Sequence, residues 1–269
     1  MNSVTLPSTV GVMGAALRRE WLSHRLNRFL YAHLALVLIA GCLPLFTPGD
    51  ALVRGAAWWL LHAVLYAVSL SALLLGLSSA HAETEEFSWL LTQPAGIEPW
   101  LAGKISALIV LSGASSALLA LPAALAGASS PELALTAIGA GLVAVVCSLM
   151  GLAIGFWIRD SVRGLIAAVG CWLVMLFGVD LLLLALAGAP LVQQNPDLWV
   201  AFLMINPLDA FRITILFAVE RAAFSGLEAG RLAGWWAAHS LAWLVTLTVA
   251  WSILAALAAW AGARRRIDG

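Results

Sequence analysis

Six stretches of this chain are each apolar over roughly the length a helix needs to cross a bilayer, and no other feature constrains its fold as much. Crossing about 30 Å of hydrocarbon takes about 20 residues of helix. The stretches run over Phe29–Phe46, Ala56–Ala80, Gly103–Gly127, Leu135–Trp157, Gly164–Ala187 and Ala237–Ala261. Of the 269 residues, 62% are apolar and 10% are charged. Soluble domains carry about 25% charged residues, so a chain this poor in charge takes lipid as its solvent. Within lipid each backbone N–H and C=O must be paired inside the protein, and apolar runs of this length do so as helices. The expected fold is an all-α integral membrane protein, a single domain over residues 1–269 with six transmembrane helices.

Lysine and arginine set the orientation. With the N-terminus in the cytoplasm, Arg18, Arg19, Arg25, Arg28, Lys104, Arg159, Arg163, Arg264, Arg265 and Arg266 all fall inside, ten of fourteen basic residues. Arg54 lies beside a short outer loop. Arg212, Arg221 and Arg231 lie in the long fifth connection, and long loops count for little in the positive-inside rule. Both termini are therefore expected in the cytoplasm. The net charge of +0 gives no field for nucleic acid. Cys42, Cys147 and Cys171 sit in apolar stretches without CxxC spacing and read as small buried hydrophobes. The basic stretch Arg18–Arg28 leads into further spans rather than to a cleavage site.

One segment resembles a seventh span. Leu198–Val219 is apolar, but it contains Asn206-Pro207, Asp209 and Arg212 and leads into Glu220-Arg221. A seventh crossing would also put Arg264-Arg265-Arg266 outside. The segment reads instead as interfacial or re-entrant helices within an outer loop over 188–236. Asn206 suits an N-cap with Pro207 at the first helical position, and Asp209 and Arg212 are i,i+3 neighbours placed to pair. The N-terminal segment 1–28 reads as an interfacial helix from about Thr9, with Met13, Leu17 and Trp21 on one stripe and Leu22 and Leu26 nearly opposite. It fits either a basic juxtamembrane anchor or a helix that touches lipid and protein on different faces. Thirteen tryptophans against two tyrosines point to interfacial belts, with Trp58, Trp59, Trp235 and Trp236 near outer ends and Trp100 and Trp157 near inner ends. Gly151 and Gly155 form a GxxxG that allows two helices to pack closely, read either as a dimer contact or as a chance pair of the kind common in Gly-rich membrane helices.

Catalytic patterns are missing. The sequence holds no HExxH and no GxSxG, and the sole lysine, Lys104, is followed by Ile105 rather than a hydroxyl residue, so there is no phosphate-binding Walker loop. No catalytic residues, no metal ligands and no cofactor are assigned to this chain. Ionisable groups inside spans are few. Asp180 lies within the fifth span and requires a partner, a wet cavity or protonation. With His33 and His62 it is a candidate for a substrate path, the other reading for each being a helix–helix hydrogen bond. The inner loop over 81–102 opens with Glu83, Glu85 and Glu86, continues with Phe87, Trp89, Leu90 and Leu91, and stops at Pro94. Carboxylates suit a helix N-terminus and proline ends a helix. Large apolar side chains on such a short helix invite a protein partner or dip into lipid.

This layout resembles the membrane subunit of ABC-2 type transporters. The match lies in Glu83, in Leu90-Leu91-Thr92-Gln93-Pro94 and in Gly103-Lys104. Where that family has Gly-Thr, this chain has Glu85-Glu86. Ile205-Asn206-Pro207-Leu208-Asp209-Ala210-Phe211-Arg212 is similar to a pattern of the NosY group, the permeases of nitrous oxide reductase maturation. The resemblance implies a bacterial inner-membrane permease with a basic N-terminal interfacial helix, a cytoplasmic coupling helix and re-entrant helices before the last span. It also implies a second copy of the chain, a cytoplasmic ABC ATPase holding ATP and Mg²⁺, and a periplasmic accessory protein. Glu83, Glu85, Glu86, Trp89, Leu90 and Pro94 would couple to the ATPase. Asn206, Asp209 and Arg212 would form an outer gate or a docking point for the accessory protein. The implied cargo is a sulfur or copper–sulfur species. A lipid, drug or peptide exporter and a non-transporting membrane scaffold are the alternatives.

Overall fold

The computed structural model describes residues 9–24, 27–46, 51–82, 97–127, 130–186, 188–219 and 231–268. Glu83, Glu85, Glu86, Trp89, Leu90 and Pro94, the expected coupling helix, lie outside these described residues, as do Arg25 and Leu26. Among the described residues every regular element is helical. The chain is a multi-pass membrane protein. Six helices are long and apolar enough to cross a bilayer: α2 (Arg28–Phe46), α3 (Ala56–His81), α4 (Ile97–Leu125), α5 (Pro131–Trp157), α6 (Ser161–Leu186) and α10 (Leu232–Arg266). An N-terminal helix precedes them (Thr9–His24), here called α1. Short helices α7 (Pro190–Gln194), α8 (Pro196–Ile205) and α9 (Pro207–Val219) connect α6 to α10.

Several helix ends differ from the hydropathy reading for local reasons. α5 starts four residues early because Ser130 caps it, its hydroxyl accepting from the Leu133 amide at 3.2 Å, with Pro131 at the first position. α4 starts at Ile97 rather than Gly103, since Trp100 and Leu101 are buried and extend the packed face. α10 runs on past Ala261 to its arginines and is kinked at His239, where φ is −123° and ψ 23°. α3 contains a π-turn over Val64–Val68. The hydroxyl of Ser69, the residue after this turn, donates to the Leu65 carbonyl and accepts from the Trp172 indole of α6 at 2.8 Å.

The core is built around α5. Over an 18-residue apolar stretch of each span, 67% of α3 and 61% of α5 are buried, against 17% of α6, so α3 and α5 form the centre and α6 lies at the rim. α3 and α5 pack most extensively, and α10 and α4 cover other faces of α5. Apolar burial does not distinguish a helix neighbour from lipid, so close approach of small residues has to hold these helices together. A methyl on Gly76 would run into the Ser148 carbonyl, and one on Gly151 would run into the Leu73 carbonyl. The GxxxG of Gly151 and Gly155 is therefore used within the chain, against α3, and not between copies.

One end of the bundle gathers the basic residues. There Asn27 reaches Ser78 (3.4 Å), His81 bonds to the Ile158 carbonyl (2.9 Å), Glu20 meets Lys104, and Arg266 donates to the Gly155 and Phe156 carbonyls. Trp100 and Trp157 sit at this basic end as expected. However, Trp100 (5% exposed) and Trp236 (2% exposed) are buried against Phe156 and Phe217 in edge-to-face contact, so these two are core residues rather than members of a lipid-facing belt.

Overpacking a tight core contact costs about 1–3 kcal/mol. Gly151→Val and Gly76→Val, which press into backbone, should reach or exceed the upper part of that range, read as a lower melting temperature in detergent. Gly170→Ala on α6 meets nothing within 4 Å and should melt like the wild type.

Candidate functional site

The most organised polar site lies where α8 and α9 meet α6. The two helices together have the length and hydropathy of one span but are bent by 114° at Asn206, as in a broken span or a re-entrant loop. Such a break inside a bilayer frees backbone groups that need partners. Those partners are present. The Trp243 indole donates to the Met204 carbonyl at 3.0 Å and the Trp251 indole to the Ile205 carbonyl at 2.9 Å, so α10 satisfies the open end of α8. Asn206 caps α9, its Oδ1 accepting from the Leu208 amide at 3.0 Å as the sequence anticipated. Its amide also donates to the Met175 carbonyl of α6 and to Asp209 Oδ2 at 2.7 Å. The Phe211 ring fills a slot on α5 that only a glycine at position 139 leaves open.

Charge completes the site. Arg212 makes the expected i,i+3 pair with Asp209 at 2.9 Å. It also forms a two-pronged pair with Asp180 of α6, both N–O distances being 2.9 Å. Asp180 thus has a protein partner, which the linear sequence did not identify because 32 residues separate the two. Asp209 is 3% exposed, Arg212 28% and Asp180 44%, so the cluster runs from the interior to an open face of α6. Two carboxylates against one guanidinium leave a net charge of −1 when all are ionised. Of the two partners of Arg212, Asp180 is the more open and Asp209 the more buried.

His33 and His62 are separate from this cluster. His33 is fully buried, with Nδ1 2.7 Å from the Ser71 hydroxyl and Nε2 at 3.0 and 3.2 Å from those of Ser115 and Ser116, so it ties α2, α3 and α4 together. His62 is on an exposed face of α3, bonded to the Trp58 carbonyl of its own helix at 2.8 Å and stacked between Trp58 and Tyr66 at centroid distances of 6.4 and 6.2 Å. Among the described residues no group of three or more His, Cys, Asp or Glu side chains converges as a metal site.

A second polar contact lies at the basic end. Glu20 of α1 and Lys104 of α4 pair at 3.0 Å with both side chains 2% exposed, and the Lys104 ammonium stands 5.7 Å over the Trp100 ring. Leu17, Trp21 and Leu22 of α1 point outward instead. Among the described side chains of α1, these three large apolar ones face outward, whereas the Glu20 carboxylate makes a buried contact with α4. One acidic residue in an otherwise basic and apolar helix was the available signal in the sequence. No protein-family model matches this chain, and no curated protein matches it.

Two comparisons test these contacts. Removing one partner of a buried ion pair costs about 3–5 kcal/mol, while half-exposed pairs are worth about 1 kcal/mol or less. Arg212→Met strands buried Asp209 and should be strongly destabilising, whereas Asp180→Asn should stay within about 1 kcal/mol of the wild type; equal losses would refute the division of labour. Lys104→Met and Glu20→Gln should each destabilise, and the double variant should lose less than the sum, as a double-mutant cycle of melting temperatures would register.

Proposed function

We propose that this chain is the membrane-spanning permease subunit of an ATP-driven transporter of the ABC-2 type, similar to the NosY group, moving a sulfur or copper–sulfur species across the bacterial inner membrane for nitrous oxide reductase maturation. The observation that carries the reading is the bent pair α8–α9 between the fifth and sixth spans, held to α6 by Asp180–Arg212 and Asn206 and to α10 by two indoles. A scaffold needs no broken span with a half-exposed ion pair at its base. A permease needs a part at the outer face that holds in one state and releases in another. The ion pair from Asp180 to Arg212 has that character, since Arg212 keeps Asp209 when Asp180 withdraws.

The work would come from outside the chain. The segment 83–96, with its acidic start and Trp89-Leu90, joins α3 to α4 on the side assigned to the cytoplasm by the positive-inside rule. A cytoplasmic ATPase, which would hold ATP and Mg²⁺, would dock there. Movement at that segment bears directly on α3 and α4, and both pack on α5. α1, clamped to the first turns of α4 by Glu20–Lys104, would brace the same point. A second copy of the chain would complete the core, and the outer helices around Asn206, Asp209 and Arg212 would gate the cargo or meet a periplasmic accessory protein.

Co-purification with the cognate ATPase tests the reading. The triple variant Glu85→Ala/Glu86→Ala/Trp89→Ala should lose the complex, or keep it with ATP hydrolysis uncoupled from transport. A wild-type complex with wild-type ATP-dependent activity in that variant would remove the coupling assignment.

A further inference from the structure

At the basic end, α5 and α10 enclose a cleft of about 690 Å³ lined by Trp157, Arg159, Trp260, Arg264, Arg265 and Arg266. We propose that this cleft binds the phosphate headgroup of an anionic membrane lipid. The proposal needs only the membrane location of the chain and stands apart from the transporter reading.

Three observations carry it. The first is charge. Four arginines surround the cleft, and among the described residues one carboxylate pairs with them, Glu98, which Arg264 meets at 2.7 Å with both side chains exposed. Arginines that merely mark the cytoplasmic side would spread into water; these converge on one concavity. The second is pre-organisation. Arg264 lies 4.0 Å over the Trp260 ring, Arg265 5.5 Å over Trp157 and Arg266 5.5 Å over Phe156. A guanidinium attracted to an aromatic ring by cation–π interaction is positioned without giving up an N–H donor to a carboxylate, and a planar fork of donors matches phosphate oxygens. The walls are themselves fixed. The Trp157 indole donates to the Ala258 carbonyl at 2.8 Å, and Arg266 spends its donors on the Gly155 and Phe156 carbonyls, which joins the ends of α5 and α10. Arg159, Arg264 and Arg265 remain as exposed cations around that frame. The third is position and size. The cleft stands at the ends of two spans, where headgroups lie and where tryptophan marks the interface. Its volume falls in the range of small-molecule sites, about 300–1,000 Å³, and exceeds what a lone phosphate ion fills.

A phosphate in the cleft would compete with Glu98 for Arg264. Glu98 stands in the first turn of α4, two residues beyond the segment 83–96, so lipid occupancy would bear on the root of that segment.

The test uses the full chain in nanodiscs of phosphatidylcholine alone or phosphatidylcholine with phosphatidylglycerol, with bound lipid counted by native mass spectrometry. The wild type should retain phosphatidylglycerol in preference to phosphatidylcholine. Arg159→Gln/Arg265→Gln should weaken that preference by about fivefold per arginine, on the order of 25-fold for the pair. The double variant should melt like the wild type in pure phosphatidylcholine; if it does not fold, single Arg159→Gln carries the measurement. No preference in the wild type, or an unchanged preference in the variant, would overturn the proposal. So would inorganic phosphate raising the melting temperature in pure phosphatidylcholine as much as phosphatidylglycerol does, since the site would then serve a free anion.

Discussion

Backbone contact between α3 and α5 is the constraint on which the rest of the bundle depends. Gly76 and Gly151 face carbonyl oxygens of the opposite helix with no room for a methyl group. In water such closeness would be one source of stability beside the hydrophobic effect. In lipid it is among the few sources available, because an apolar side chain gains little by exchanging an acyl chain for a neighbouring helix. The close pair makes α5 the axis of the protein. α4 approaches it through Gly113 and Gly141, with the Ser112 and Ser148 hydroxyls 3.0 Å apart, and α9 reaches it through the slot at Gly139. Small residues thus bring three neighbours of α5 into place, and the large apolar ones turn outward or fill the remaining gaps.

The bent pair α8–α9 follows from the same solvent. A break in a helix inside hydrocarbon is tolerated only where other groups take over its backbone partners. Trp243 and Trp251 supply two donors, and Asn206 supplies a cap, a tie to Asp209 and a tie to α6. The charges are arranged with the same economy. Arg212 is shared between a buried and a half-exposed carboxylate, so one contact anchors the pair while the other joins it to the rim helix α6. A site whose inner half is fixed and whose outer half is open can change state without leaving a buried charge alone.

At the opposite end the contacts are of another kind. Glu20 and Lys104 fasten α1 to α4 out of reach of water, and Arg266 of α10 ties that helix to α5 by donating to the Gly155 and Phe156 carbonyls near the end of α5. Away from that end, the polar ties between helices among the described residues include the hydroxyl cluster around His33, the Ser112–Ser148 pair and the Trp172–Ser69 bond.

Much of this was legible in the linear sequence. Length and hydropathy determined the six spans, because the thickness of hydrocarbon sets a minimum run of apolar residues. The broken segment before the last span was legible for the same reason: Asn206-Pro207, Asp209 and Arg212 are local signals, and the cap and the i,i+3 pair they encode need no distant partner. Four features needed the tertiary structure: the partner of Asp180, the use of Glu20 inside rather than outside, the burial of Trp100 and Trp236, and the convergence of Arg159 with Arg264–Arg266. Each joins residues far apart in the chain, and hydropathy treats a side chain facing lipid and one facing another helix alike. Local chemistry and membrane thickness are written in sequence order; which faces of apolar helices meet is decided by the fit of small residues in three dimensions.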